Sequence, residues 1–396
     1  MLFRSQAIDV NHVGDARYLN KTAAQNAIAA TTSAFDCDGG SSSAAIDCAI
    51  ASGAMISDFA GNGLDSGNSL FSGYPAAVFG ATPDIGAAFP GQNPLWGHLA
   101  VNFPMGRSVY NGLQTNLRQG GRLPIKGLVS SNFEVSYTLS RFVSSGGSDQ
   151  NFTPTAVDNN NPLGFIGPAG IDRTHQLSYG GSFNWIGGIG SSLIGHYYSA
   201  LPTTLTLDTN GGGPGEIFSS DITGDGTTGD IIPGEKAGAF MRSVKASNLN
   251  TAISNYNNTY AGKVTPAGQA VISAGLFTAN QLTELGAVTR TIATAPSHNA
   301  GNGNLRTFDL VLDRPTKIKQ LGESFSIEPS ISFFNLFNFA NFGTLGGNLL
   351  NAQQSGTVNG TTTSLDDLGA IRAGNGSGVF SQGAARIMEF GLKVNF

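Results

Sequence analysis

Charge is what this sequence has least of. Only 12% of its 396 residues are Asp, Glu, Lys or Arg, about half the quarter that is usual in a soluble globular chain. A surface so poor in ions either faces something other than water or is covered by neutral polar loops. Basic residues number 21 against 26 acidic ones, and they form no block that would grip a phosphate backbone, so no nucleic-acid partner is expected. Long apolar runs are missing too. None approaches the roughly 18 residues of a membrane-crossing helix, which removes helical insertion. The opening MLFRSQAIDV has neither the apolar stretch nor the cleavage site of an export signal, so the chain is either cytoplasmic or has its native start upstream of Met1.

Catalytic constellations are equally scarce. No HExxH or GxSxG occurs, and His12, His98, His175, His196 and His298 lack the i, i+4 spacing of a helical zinc site. They read as lumen or rim residues, and no enzyme is expected. GDGTTG, Gly224 to Gly229, has the glycine spacing of a dinucleotide fingerprint, but IIPGEK follows it where a helix should begin. The overlapping GDIIPGEK fails as a phosphate loop because Glu235 separates Gly234 from Lys236. There are two cysteines, Cys37 and Cys48, in one Gly/Ser/Ala-rich stretch. They fit a loop disulfide in an oxidising compartment, and two free thiols would look the same.

Alternation is what the sequence does have. In ARIMEFGLKVNF at the C-terminus, Met388, Phe390, Leu392, Val394 and Phe396 fall on one side, and Glu389, Gly391, Lys393 and Asn395 on the other. Strand side chains alternate faces with period two, so this segment has one apolar and one mainly polar face. Similar patterns occupy Val129 to Ser140, Gln176 to Trp185 and Ser324 to Phe333; weaker ones occupy Ile8 to Gly14, Leu99 to Leu117, Leu193 to Leu201 and Thr307 to Asp313. Eight strands are expected. Pro329 is a misfit within one of them, because it removes a ladder donor, and a bulge there would accommodate it.

The links between these strands alternate in length. Long polar loops are expected near 15–95, 143–172, 203–303 and 338–383, and short links at 120–127, 187–190 and 314–322. Outer-membrane barrels sort their connections this way, with short periplasmic turns, long extracellular loops, apolar residues outward and polar residues inward. The expected fold is therefore all-β: an antiparallel transmembrane β-barrel of about eight strands, in the bacterial outer membrane and in contact with its lipid. Glu389 and Lys393 then face the lumen, while Trp185, Phe390 and Phe396 suit the interfacial aromatic girdles or simply reflect strand preference. Within the loops, Thr265 followed by Pro266 and Thr278 followed by Gly286 mark two short helices.

One loop has a pattern that suits a metal. In DITGDGTTGD, Asp221, Thr223, Asp225 and Asp230 stand at calcium-loop-like spacing, with Gly226 supplying a sharp turn. Hard cations take several oxygen ligands, and alternate residues of a tight loop supply them. The bidentate Glu of an EF-hand is absent, Ile232 standing in its place, so a structural Ca2+ site and a water-solvated acidic turn both remain open.

Several of these segments resemble a known family. The terminal residues Phe390, Leu392, Val394 and Phe396 resemble the C-terminal signal that the barrel assembly machinery reads. FFNLFNFANF, Phe333 to Phe342, resembles the NLFN element on a late strand of TonB-dependent receptors. DRTHQLSYGGSFNW from Asp172, GRSVYNGLQTNLRQ from Gly106 and YTLSRF from Tyr137 resemble segments of the Oar-like members. The resemblance implies the C-terminal part of a barrel of roughly twenty-two strands, whose extracellular loops capture a scarce, bulky ligand and whose plug is displaced by TonB acting through an N-terminal segment. Residues 1–396 then form a partial receptor barrel without plug, TonB-contacting segment or signal peptide, and with two edges that lipid does not tolerate open. Rival expectations are a small autonomous barrel with a structural or adhesive role, and a secreted all-β binding module. The loops, rich in Gly, Asn, Ser and Thr, leave the extracellular ligand open among sugars, peptides and chelates.

Overall fold

A computed structural model describes residues 4–65, 86–145, 157–207, 214–241, 246–292, 294, 304–321, 325–339, 341, 357–358, 361–362 and 385–396. Nine strands are hydrogen-bonded into one sheet, two of them the short pieces Gly167–Pro168 and Thr316–Lys317. Its seven long members are β3 (Ser108–Gly121), β4 (Leu128–Ser144), β5 (His175–Trp185), β6 (Ile189–Tyr198), β7 (Leu305–Asp313), β8 (Ser326–Phe334) and β9 (Ile387–Asn395). Each pairs antiparallel with the next in sequence. The sheet is open: among the described residues β3 and β9 are not joined. In a separate two-stranded sheet, β1 (Arg4–Asp9) pairs with β2 (Ala100–Gly106), which only Arg107 separates from β3.

Register makes one face of the sheet apolar. Leu117, Val135, Tyr179, Gly195 and Phe308 lie side by side across β3 to β7. Two residues nearer the short turns, Phe133, Gly181, Leu193, Leu310, Phe333 and Met388 form the next row, and Phe183, Ser191, Leu312, Ile331 and Phe390 the one after. The opposite face carries Asn132, Ser182, Ser192, Val311, Ser332 and Glu389 in one row. Directly opposed residues in an antiparallel pair share a face, so the alternation within each strand becomes two continuous surfaces. The apolar one is uncovered: Leu117 is 65% exposed, Phe390 75% and Phe396 95%.

Three strand expectations need correction. The first strand is Arg4–Asp9, not Ile8 to Gly14. The Asp9 carboxylate accepts the N–H groups of Asn11 and Val13, which turns the chain, and His12 takes φ 55°. The second candidate divides into β2 and β3 and runs on to Gly121. Pro329 sits in β8 without a bulge, its register with β9 unbroken from Ser326 to Phe334. Its carbonyl accepts from Arg314 N (3.1 Å), so its nitrogen also points toward the end of β7 and not toward β9. The missing donor therefore falls where the β7 ladder has already stopped.

The two longest expected loops, near 15–95 and 203–303, are not simple polar connections. They contain α1 (Lys21–Ala34), α2 (Ser43–Ala51) and α3 (Ile56–Phe59), then α4 (Ala246–Thr259), α5 (Pro266–Ser273) and α6 (Ala279–Glu284). Side-chain caps start most of them: Asn20 accepts from Ala23 N, Ser42 from Ala45 N and Thr265 from Gly268 N, while Thr278 and Gln281 form a capping box. Ala27, Ile28, Ile46, Phe59 and Phe89 from the first segment pack with Phe218, Val271, Phe277 and Leu282 from the second in one core. Phe59 meets Phe277 edge to face at 5.5 Å, and Phe89 meets Phe218 at 6.1 Å. All the long connections leave the sheet at the end away from the short turns, so these helices form a cap there.

Cys37 and Cys48, eleven residues apart, are joined by a disulfide that links the end of α1 to α2. Closing so short a loop removes about 3 kcal/mol of chain entropy from the unfolded state. Cys48→Ser is expected to lower cap stability by about 2–3 kcal/mol, read as faster cleavage near residues 35–52 in limited proteolysis of the folded protein. Identical cleavage rates in the parent and the variant would refute that.

Candidate functional site

Asp221, Asp225 and Asp230 lie on a loop anchored by the buried side chains of Ile217 and Phe218 before it and Ile232 after it. Three glycines in the left-handed region, Gly224, Gly226 and Gly229, fold it tightly. The loop turns its carboxylates inward: Asp221 and Asp225 are 0% exposed and Asp230 3%. One oxygen from each lies within 4.8 Å of the other two. Ile232, at the twelfth position, packs with Leu205, Leu207 and Ile253 rather than offering an oxygen, so the loop is not an EF-hand.

Backbone amides satisfy much of this buried charge. Asp221 accepts from Gly224 N and Gly226 N, Asp225 from Thr227 N (2.8 Å) and Asn159 N, and Asp230 Oδ2 from Ile222 N (2.8 Å) and Thr223 N (2.9 Å). Thr223, expected to share in a cation site, donates its hydroxyl to both Asp221 (3.3 Å) and Asp225 (3.2 Å). Asp230 Oδ1 is buried with no hydrogen-bond partner. Burial and the neighbouring carboxylates push Asp221 well above the usual carboxylate range. Burial also raises Asp225, and it lifts Asp230 to about 7. Among the described residues none of the three forms an ion pair. The guanidinium of Arg17, whose charge Asp225 also feels, is held by Asp15 at 2.6 Å.

The site draws on more of the chain than its own loop. Gly226 lies against the backbone of the N-terminal segment, where an added Cβ would come within 2.2 Å of Val13 O. Gly14 faces it in turn, where an added Cβ would come within 3.0 Å of Gly226 Cα, Ala16 N donates to Gly224 O (3.0 Å), and the backbones of Asp15 and Asp225 pair in an isolated antiparallel bridge. From a third segment come Asn159 N to Asp225 and Val157 O, which accepts from Thr227 Oγ1 (2.8 Å). Asn160 joins Arg17 to Asp15. Sequence spacing identified the aspartates but not Gly14, Asp15, Asn159 or Asn160, which carry no local signal because they lie tens to hundreds of positions away.

The polar face of the sheet is the second candidate. Asn132, Glu134, Ser136, Ser178, Ser182, Ser192 and His196 line a shallow hollow of about 490 Å3 there. Glu134 accepts from Asn116 (2.7 Å) and pairs with Arg118 (3.2 Å), and the Ser178 hydroxyl lies 3.0 Å from His196 Nδ1. Lys393 stands opposite Glu328 in register, 3.9 Å from it. Glu389 and Lys393 thus lie on this face, and Phe390, Leu392, Val394 and Phe396 on the apolar one. His98 and His175 contact Asp9 and Tyr137, His12 lies 3.7 Å from Asp15, and His298 falls outside the described residues. NLFN forms a turn at the end of β8. Asn335 and Asn338 take φ 49° and 51°, and the Asn335 side chain both donates to Phe339 O and accepts from Phe339 N. Asparagine tolerates that left-handed backbone better than most residues.

Residues 55–372 match the family model described as outer membrane beta barrel domain. Among solved structures, the chain is similar to the crystal structure of the outer membrane transporter YddB from Escherichia coli, with 8% identity and a TM-score of 0.32. The alignment covers 74% of this chain and 26% of that one, so the chain spans about a quarter of that transporter's length. No curated protein matches the sequence.

Proposed function

The chain belongs to the outer membrane beta barrel domain family and resides in the bacterial outer membrane, and from that premise we propose that it is the wall and extracellular cap of an Oar-like, TonB-dependent receptor. Such a receptor takes up a bulky ligand with TonB-derived energy. The observation that carries this reading is the combination of an open seven-strand arc with a polar face built from small residues, among them Ser136, Ser178, Ser182, Ser192, Ser330 and Ser332. A barrel of eight strands fills its interior with side chains, whereas small inward residues on an unclosed arc suit a wide lumen. The role is that of binder and conduit rather than catalyst, and the captured ligand meets the loops before the lumen. TonB engages the N-terminal part of such a receptor, and the barrel assembly machinery reads the terminal Phe390, Leu392, Val394 and Phe396.

A native-locus product carrying an affinity tag tests the reading. Photo-crosslinking in energised cells, followed by outer-membrane solubilisation, is expected to recover TonB bound to it, and dissipating the proton gradient is expected to change that yield. No TonB adduct, together with a folded, heat-modifiable band at the mass of this chain alone, would instead establish a small autonomous barrel.

A further inference from the structure

We propose that Asp221, Asp225 and Asp230 hold a calcium ion that clamps the N-terminal segment 13–16 and the loop 157–161 onto the loop 219–232. Three buried carboxylates brought within 4.8 Å of one another repel strongly in a low dielectric, and among the described residues none of them forms an ion pair, the guanidinium of Arg17 being held by Asp15. The unpartnered Asp230 Oδ1, carried by a side chain only 3% exposed, is the independent sign of a missing ligand. A buried acceptor is rarely left without a hydrogen bond, because the loss of its hydration goes uncompensated.

The donor set decides which ion. It consists of carboxylate oxygens, with the hydroxyl of Thr223 between two of them and no His or Cys in the cluster. That chemistry selects a hard cation over zinc or copper. Each carboxylate oxygen has two lone pairs, so the amide contacts leave acceptor capacity for an ion. Calcium gives up its water more readily than magnesium and accepts irregular oxygen cages, which suits carboxylates that are almost completely buried. Through Asp225, whose carboxylate also accepts from Asn159 N and whose backbone pairs with that of Asp15, the ion would bear on all three segments at once. This assignment does not depend on the TonB reading, since any outer-membrane barrel with this cap would carry it.

The test uses the folded, detergent-solubilised protein. Millimolar CaCl2 is expected to raise the melting midpoint of the cap by about 5 °C over EGTA, and calorimetric titration with CaCl2 is expected to saturate at one ion per chain. Asp230→Asn keeps an oxygen for the amides of Ile222 and Thr223 while removing one charge. It is expected to melt in EGTA no lower than the parent and to lose the calcium shift. Equal melting of the parent in CaCl2 and EGTA, with no binding heat, overturns the proposal whether or not the variant folds. Retention of the shift in Asp230→Asn overturns it too, and an equal shift with MgCl2 overturns the choice of calcium.

Discussion

Phe59→Ala is expected to destabilise the helical cap by about 3–5 kcal/mol, the range for deleting a fully buried aromatic side chain. Phe59 is 0% exposed and packs edge to face on Phe277, which belongs to the other half of the cap. Its loss removes a contact between two stretches of chain that no short linker holds together. The measurement is limited proteolysis along a urea gradient, following cleavage within 21–65 and 246–289. The sheet should keep its heat-modifiable migration, because none of the cap core residues comes from β3 to β9. If the variant's cap resists protease as well as the parent's, the helices are not held by this core.

Arginine at Leu310 is expected to cost about 2–4 kcal/mol, the penalty for a cation on the lipid face near the bilayer midplane. Leu310 lies beside Leu193 and Phe333 on the apolar face, three residues from the end of β7 at Asp313. At about 3.3 Å per residue that is about 10 Å along the strand, or about 7–8 Å above the short turns once strand tilt is included, inside an apolar band about 25 Å tall and on the way to its middle. The neighbouring Val311 points the other way, between Ser192 and Ser332. Val311→Arg should cost less than about 1 kcal/mol, since a lumen-facing substitution meets water. Urea unfolding after insertion into lipid vesicles compares the two. Equal penalties would mean that the faces have been assigned the wrong way round or that neither meets lipid.

The strands were legible because their signal is local. Met388 to Phe396 alternates so cleanly that its face assignment survives into the register with β8 unchanged. The helices of the cap were harder to see. In α1, KTAAQNAIAATTSA buries Ala23, Ala24, Ala27, Ile28, Thr31 and Thr32. That set has helical spacing, but it is made of residues too small to stand out from the Ala/Ser/Gly-rich stretches around it. Asn20 and Ser42 offer the same kind of cap as Thr265 and Thr278; what marks the latter two in the sequence is Pro266 after the one and the closing Gly286 after the other. At the acidic loop, spacing picked out the three aspartates because one short turn brings them together. It could not show that Gly226 needs room for Val13, a contact made across more than two hundred residues.

The sequence order of the cap also bears on how such proteins can change. Its core takes residues from 24–89 and again from 217–287, and β2 to β6 lie between these two stretches in sequence. Neither half buries Phe59, Phe89, Phe218 or Phe277 without the other. Recombination that exchanged one of these long connections for a foreign one would deliver half of a folded unit to a partner that does not fit it. Variation in this cap therefore has to proceed by point substitution or by replacing both connections together with the wall between them.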